Sequence, residues 1–148
     1  MLDRLVPPQS KDVALLIARI GIGIVFIAHG VQKLGGGLGG AIKGFTMMGV
    51  PAPAISAVYA TVVEILGGAL LVLGALMPLA GILLFLDMAG AFLFVHAGNG
   101  LFVEKGGFEL VLVLGVASLV FAAAGSGKFG IDALIARRGA AEKVPAGG

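Results

Sequence analysis

Apolar residues along the chain fall into four long stretches, each followed by a short or glycine-rich break. A helix needs roughly 20 mostly apolar residues to cross a hydrocarbon layer about 30 Å thick. Within lipid, only helices and closed barrels satisfy their own backbone groups. The pattern therefore predicts four membrane-spanning helices, at Val13–Gly30, Ile55–Leu76, Pro78–Ala97 and Phe108–Gly125.

The segments outside these spans are too polar to cross a bilayer. Residues 34–54 are rich in glycine but carry four apolar residues at helical spacing, which predicts an amphipathic helix lying flat on the outer interface. These residues are Leu38, Ile42, Phe45 and Met48. Ile131–Arg138 has a similar pattern and is expected on the inner surface. We therefore expect one membrane domain over residues 1–138 and a disordered tail over residues 139–148.

The composition agrees with a membrane protein. The 148 residues are 59% hydrophobic and 12% charged, with a mean hydropathy of +1.11, whereas a soluble chain of this size buries only about 70% of its surface. The net charge of +2 is too small to predict a nucleic-acid partner. The fold predicted is an all-α integral membrane four-helix bundle, with an interfacial amphipathic segment between the first two spans.

The basic residues outside the spans predict the orientation. Four spans put both termini on one side, and that side carries more Lys and Arg than the other. It holds Arg4, Lys11, Lys128, Arg137, Arg138 and Lys143, against Lys33, Lys43 and Lys105 on the opposite side. Because cytoplasmic loops are enriched in basic residues, we expect both termini in the cytoplasm of a bacterial inner membrane.

Ionisable side chains inside the spans are the candidate functional residues, because they are costly in lipid and normally face the bundle interior. The helical rise places Arg19, Asp87 and Glu64 about 9, 14 and 18 Å from the terminal side. We expect the Arg19 guanidinium to pair with a carboxylate in this middle layer, while the second carboxyl can hold a proton. The alternative is that the three residues only lock the helices together.

His29, His96 and Glu109 form a second, outer layer, about 24 to 27 Å from the terminal side. A histidine there can donate a hydrogen bond to a quinone carbonyl or relay a proton. Two histidines and one carboxylate can also bind a metal, but these three lack ligand spacing, so no metal site is predicted. Asp87 and His96 are nine positions apart, so they face one cavity only if the helix is kinked, for example at Gly90.

Small residues surround the polar groups on two helix faces, and they admit either a neighbouring helix or a flat ligand. The first face consists of Arg19, Gly23, Phe26, Gly30 and Lys33, and the second of Ala60, Glu64, Gly67 and Gly68.

Several short motifs, in this order along nearly the whole chain, resemble the DoxX family of small bacterial membrane proteins. They are Ala18–Gly21, Phe26–Leu34, Gly49–Pro53, Glu64–Gly68, Gly106–Leu110 and Gly125–Asp132. The resemblance implies a four-helix membrane bundle and assigns functional positions to Arg19, His29, Lys33, Glu64 and Glu109. Asp87 and His96 are candidates from the residue pattern alone.

The resemblance implies a role in redox physiology. One branch of the family is similar to the membrane subunit of a thiosulfate:quinone oxidoreductase, and other members look like membrane anchors for oxidative-stress or thiol-handling complexes. This chain contains no cysteine, so it cannot itself carry out thiol exchange.

Three functions remain open from the sequence. The first is a non-catalytic membrane subunit that binds menaquinone, ubiquinone or another apolar ligand and docks a redox partner. The second is a membrane quinone oxidoreductase that acts with a partner, and the third is a small transporter or channel. The sequence is compatible with a monomer or a homo-oligomer.

Overall fold

The computed structural model describes residues 7–142, which form six α-helices and no strand. The helices are α1 (Pro8–Lys33), α2 (Gly37–Met47), α3 (Pro53–Leu73), α4 (Met77–Ala91), α5 (Glu109–Ala124) and α6 (Ile131–Glu142). Short 3-10 turns lie at Leu34–Gly36, Ala97–Asn99 and Val103–Lys105, and a π-helical turn lies at Phe92–His96. The all-α prediction is confirmed.

Three helical stretches of the described chain are long and apolar enough to cross a membrane: Gln9–Met47, Pro53–Leu73 and Met77–Asn99. The fourth predicted span corresponds to α5, which is apolar but has only 16 residues. At 1.5 Å per residue it reaches about 24 Å, somewhat less than the hydrocarbon thickness.

The four long helices pack in the order α1, α3, α4, α5, with only slight contact between α1 and α5. Their shared core consists of Phe26, Leu71, Met77, Leu84, Met88, Val111, Leu114 and Phe121. The outward faces carry exposed large apolar residues, among them Ile17, Leu66, Leu86 and Val113. An outer surface so rich in apolar side chains is expected when the solvent is lipid.

Glycine allows α1 and α3 to cross closely. A Cβ atom built on Gly23 would lie 2.7 Å from the carbonyl oxygen of Gly68, and one built on Gly68 would lie 2.7 Å from that of Gly23. The small-residue faces predicted from the sequence are therefore buried, and at these two glycines they admit a neighbouring helix rather than a flat ligand.

The predicted amphipathic segment contains α2, which packs against α3. Ala41 is buried, and Ile42 and Phe45 are half-buried. Leu38 and Met48, which were predicted on the same apolar face, are exposed. The difference arises because α2 turns its inner side toward the bundle instead of presenting the whole predicted stripe to one surface.

The turn between α3 and α4 is held by α6. Gly74 and Leu76 both adopt left-handed backbone conformations, with φ of 67° and 49°. The Asp132 carboxylate accepts hydrogen bonds from the backbone N–H groups of Leu76 and Met77, at 2.8 and 3.0 Å. These two bonds satisfy N–H groups at the start of α4 that have no partner within the helix.

The C-terminal helix is longer than predicted. It continues through Glu142, so the first four residues of the predicted disordered tail are helical. The remaining tail residues, 143–148, lie outside the described part of the chain.

Candidate functional site

Within the described residues 7–142, Arg19 pairs with no carboxylate, and the predicted middle layer is wrong on this point. The Nη1 atom of Arg19 donates to the backbone oxygens of Leu71 and Val72, at 3.2 and 2.9 Å, and Nη2 donates to that of Phe129 at 2.8 Å. The reason is that Arg19 lies beside the last turn of α3, where the helix no longer fully satisfies the backbone carbonyl groups. Glu64 lies two turns away, about 10 Å along the helix.

The guanidinium of Arg19 therefore has a clear structural role. It is 1% exposed and joins α1, the end of α3 and the loop before α6. A positive charge at a helix C-terminus is also favoured by the helix dipole. This arrangement supports the structural alternative for Arg19.

Glu64 forms its ion pair with Lys33 instead. The Nζ atom of Lys33 lies 2.5 Å from Oε2 of Glu64. Lys33 is the last residue of α1, whereas Glu64 lies in the middle of α3 and is 3% exposed. The long lysine side chain thus extends from the helix end into the bundle.

Asp87 lies beside this ion pair. Its carboxyl is close enough to that of Glu64 for a hydrogen bond between the two. Asp87 is 8% exposed, and its Oδ2 atom is enclosed with no hydrogen-bond partner among the described residues. The three side chains form the Lys33–Glu64–Asp87 cluster, a group of one ammonium and two carboxyls inside an apolar bundle.

Two cavities meet at this cluster. The first, which we call the lateral chamber, has a volume of about 250 Å³ and lies between α3 and α4. Lys33, Glu64 and Asp87 contribute to its wall, together with Tyr59 and several apolar side chains. Ile55, Leu86 and Phe94 line it and are also exposed on the outer surface. The lateral chamber therefore opens toward the lipid side of the bundle.

The second cavity, the inner chamber, has a volume of about 340 Å³. Lys33 and Glu64 form part of its wall as well, so the ion pair lies where the two chambers adjoin. His29 and His96 both line the inner chamber. The prediction that these two histidines lie in one layer agrees with this arrangement.

The hydrogen bonds of the two histidines fix their neutral tautomers. The Nδ1 atom of His29 lies 2.8 Å from the carbonyl oxygen of Val25, and Nδ1 of His96 lies 2.7 Å from that of Gly106. A carbonyl oxygen can only accept, so Nδ1 carries the proton in both rings. In the neutral form each Nε2 atom is then an acceptor.

Asp87 and His96 face different chambers. Asp87 lines the lateral chamber and His96 lines the inner chamber. The expectation was that they face one cavity only if the helix is kinked, for example at Gly90. The helix is instead irregular at the π-helical turn Phe92–His96, and the two residues do not share a chamber. Such turns change the direction in which later side chains point.

Glu109 is not part of either chamber. Its Oε1 atom accepts a hydrogen bond of 2.7 Å from the backbone N–H of Val103, which ties the start of α5 to the preceding loop. His29, His96 and Glu109 therefore do not converge, and the described residues contain no cluster of three His, Asp or Glu side chains suited to a metal ion.

Sequence reasoning missed two features of the site. Tyr59 lines the lateral chamber and donates a 2.9 Å hydrogen bond to the carbonyl oxygen of Leu83. It is the only tyrosine in the chain, and it lies five residues before Glu64, a signal that could have identified it. The pairing of Lys33 with Glu64 was missed because Lys33 was assigned to the loop beyond the first span.

Comparison with known proteins agrees with this architecture. The family described as DoxX matches residues 14–97. CatD, a proposed oxidoreductase of Bacillus subtilis, is 28% identical over 86% of this chain and 90% of its own length. The inner membrane protein YphA of Escherichia coli is 34% identical over 59% of this chain and 62% of its own length.

The membrane protein Rv3486 of Mycobacterium tuberculosis is 30% identical, over 86% of this chain and 85% of its own length. No solved structure is significantly similar to the chain. The family match covers more than half of the sequence, and the apolar helices agree with it. This chain is a membrane protein that belongs to the DoxX family.

Proposed function

We propose that this protein is a non-catalytic membrane subunit that binds a quinone or another apolar ligand in the lateral chamber and docks a redox or oxidative-stress partner complex. The observation that carries the proposal is the Asp87 carboxyl, buried and incompletely hydrogen-bonded in the wall of an otherwise apolar cavity. Ligand sites typically combine apolar walls with a few polar groups of this kind.

The position of the lateral chamber supports a lipid-soluble ligand. The exposed side chains of Ile55, Leu86 and Phe94 stand at its wall, so a ligand can enter from the bilayer without crossing the bundle. A volume of about 250 Å³ accommodates a ring-sized head group but not a long isoprenoid tail. We propose that such a tail remains between the helices and the lipid.

A protein partner is proposed because the chain lacks the side chains needed for thiol chemistry. With no cysteine in the sequence, a thiol reaction needs a second protein to supply the sulfur atoms. The relative CatD is named as a proposed oxidoreductase, which supports a place in a redox complex.

A binding measurement tests the ligand proposal. Purified wild-type protein in detergent is extracted with organic solvent, the extract is analysed for menaquinone and ubiquinone, and a short-chain quinone is titrated into the same sample. We expect co-purified quinone and saturable binding, and at least about tenfold weaker binding in Asp87→Leu, since one lost polar contact costs about 1.4 kcal/mol. Glu104→Leu, an exposed carboxylate outside both chambers, is the control. No bound quinone and no saturable binding would refute the proposal.

The second candidate function is a membrane quinone oxidoreductase, which the name of CatD favours. Two thiols of a donor would form a disulfide and give two electrons and two protons to a quinone, yielding a hydroquinone. Glu64 would then serve as a proton acceptor. Turnover by the isolated protein, lost in Glu64→Gln, would support this function, whereas turnover that is unchanged in Glu64→Gln would remove its proposed base.

We also propose that the protein lies in the bacterial inner membrane with both termini in the cytoplasm. The surplus of Lys and Arg on the terminal side supports this orientation, and the relative YphA is named as an inner membrane protein. A cytoplasm-active reporter fused to the C-terminus should be active. A reporter that is active only outside the cytoplasm would contradict the orientation.

A further inference from the structure

The two oxygens of the Asp87 carboxyl have different surroundings. Oδ2 is enclosed and has no hydrogen-bond partner among the described residues. Asp87 nevertheless lines the lateral chamber, and its other oxygen, Oδ1, is not enclosed in the same way. The carboxyl of Glu64 is within hydrogen-bonding reach of Asp87, but two ionised carboxylates only accept hydrogen bonds and repel each other.

The charges around the two carboxyls do not balance when both are ionised. Lys33 supplies one positive charge, and it is the only cation within ion-pair distance of Glu64 or Asp87 in the described chain. The other titratable groups that line the two chambers are His29, Tyr59 and His96. Neither α2 nor α5 contributes an ionisable side chain to these walls. An unpaired negative charge in an apolar interior is costly.

A single proton resolves both problems. Placed between the carboxyls of Glu64 and Asp87, it replaces their repulsion by a hydrogen bond and makes the Lys33–Glu64–Asp87 cluster neutral. We propose that the two carboxyls share one proton, and that Oδ1 of Asp87 is therefore a hydrogen-bond acceptor for the ligand. This inference rests on the proposed function and specifies the ligand for the same chamber.

The other polar groups of the chamber also favour a ligand that donates hydrogen bonds. The hydroxyl of Tyr59 already donates to Leu83 and that of Ser56 to Pro51, so both present only oxygen lone pairs. Among the described side chains of the wall, Lys33 alone has N–H protons that are not already donated. A hydroxyl group satisfies this set, since it donates to one acceptor and its oxygen can accept from an ammonium. The ligand class is thus a lipophilic hydroquinone or phenol, bound in preference to the corresponding quinone.

A binding series tests the ligand class. A short-chain hydroquinone, its dimethyl ether and the parent quinone are titrated into the full-length protein under anaerobic conditions. We expect the hydroquinone to bind about tenfold or more tightly than the ether, which cannot donate. An ether that binds as tightly as the hydroquinone would overturn the inference.

The substitution Asp87→Asn distinguishes an Asp87 that shares a proton with Glu64 from an Asp87 that is ionised. Asparagine copies the protonated form, because its Nδ2 group can donate to Glu64 while Oδ1 still accepts from the ligand. Asp87→Asn should therefore keep hydroquinone binding within about threefold, whereas Asp87→Leu should lose at least about tenfold. If Asp87→Leu does not fold, the Asn variant still decides, because loss of binding there contradicts the inference.

Infrared spectroscopy reports the proton directly and needs no ligand. The purified protein at neutral pH should show the carbonyl band of a protonated carboxylic acid, and this band should disappear in Asp87→Asn. Glu104→Gln, which changes an exposed carboxylate, should leave it unchanged. If the band is absent while a quinone still binds, the inference fails and the proposed function stands. If the band is present but neither quinone nor hydroquinone binds, the proposed function and the ligand class fail, and only the shared proton remains.

Discussion

The Nζ atom of Lys33 lies 2.5 Å from Oε2 of Glu64, which joins the last residue of α1 to the middle of α3. The cation of the candidate site thus comes from a helix end, whereas Arg19, within the first span, binds backbone carbonyl groups at the opposite end of the bundle. The polar groups of the spans thus form two separate sets, one that holds the helix ends together and one that faces the chambers.

Removal of Lys33 should destabilise the protein. In Lys33→Met, the two neighbouring carboxyls lose their counter-charge, and the free energy of unfolding should fall by about 2–4 kcal/mol, since breaking a buried ion pair leaves an uncompensated charge. Reversible unfolding in mixed detergent micelles measures the change. Lys43→Met, at an exposed position of α2, should stay within about 0.5 kcal/mol of the wild type. Equal changes in the free energy of unfolding in the two variants would show that the Lys33–Glu64 ion pair does not stabilise the protein.

Arg19 and Glu64 should act independently. Arg19→Leu removes three hydrogen bonds to carbonyl oxygens and should cost about 3 kcal/mol of unfolding free energy. Because the guanidinium does not pair with Glu64, a double-mutant cycle with Glu64→Gln should give a coupling energy within about 0.5 kcal/mol of zero. A coupling energy above about 1.5 kcal/mol would indicate that the two residues interact after all.

The crossing of α1 and α3 should tolerate no side chain at Gly68. In Gly68→Ala the new Cβ atom would meet the backbone oxygen of Gly23, so the helices must separate, with an expected loss of about 1–3 kcal/mol. Gly21→Ala is the matched control, because no atom lies within 4 Å of the corresponding Cβ position. The control should be neutral or slightly stabilising, since alanine favours helix over glycine. Similar melting temperatures for the two variants would argue against the close crossing.

The capping role of Asp132 is measurable in the same way. Asp132→Ala removes both acceptors of the N–H groups of Leu76 and Met77, and loss of a helix cap typically costs about 1–2 kcal/mol. The variant should also increase amide hydrogen exchange at Leu76 and Met77. Unchanged exchange at these two amides would mean that α6 does not hold the turn. Glu104→Ala, which is exposed, serves as the control.

Much of the fold was predictable because lipid imposes simple rules. The length of the apolar stretches identified the helices, and the structure places a proline in the first turn of both α3 and α4. The stripe of small residues identified the buried faces, where Gly23 and Gly68 meet. The short length of α5 and the helical start of the predicted tail were harder to predict, because the ends of helices depend on tertiary contacts such as that of Asp132.

The candidate site was predicted only in part. Glu64 and Asp87 were identified because acidic residues are rare in spans, and they do lie side by side. The predicted partner of Glu64, Arg19, was wrong. Estimating depth from the helical rise treats each helix separately and ignores how far a lysine side chain can reach from a helix end. The separation of Asp87 and His96 into two chambers agrees with their spacing of nine positions, whereas the π-helical turn at Phe92–His96 leaves no clear sequence signal.

Photolabelling can locate an apolar ligand that binds beside Asp87. A photoreactive short-chain quinone is bound to the full-length protein in lipid nanodiscs, cross-linked, and mapped by mass spectrometry of peptides. We expect labels on the walls of the lateral chamber, in residues 55–60 of α3 and in residues 86–95 of α4 and the turn after it, and competition by unlabelled ligand. Labels spread over the outer faces of α1 and α5, with no competition, would contradict binding beside Asp87.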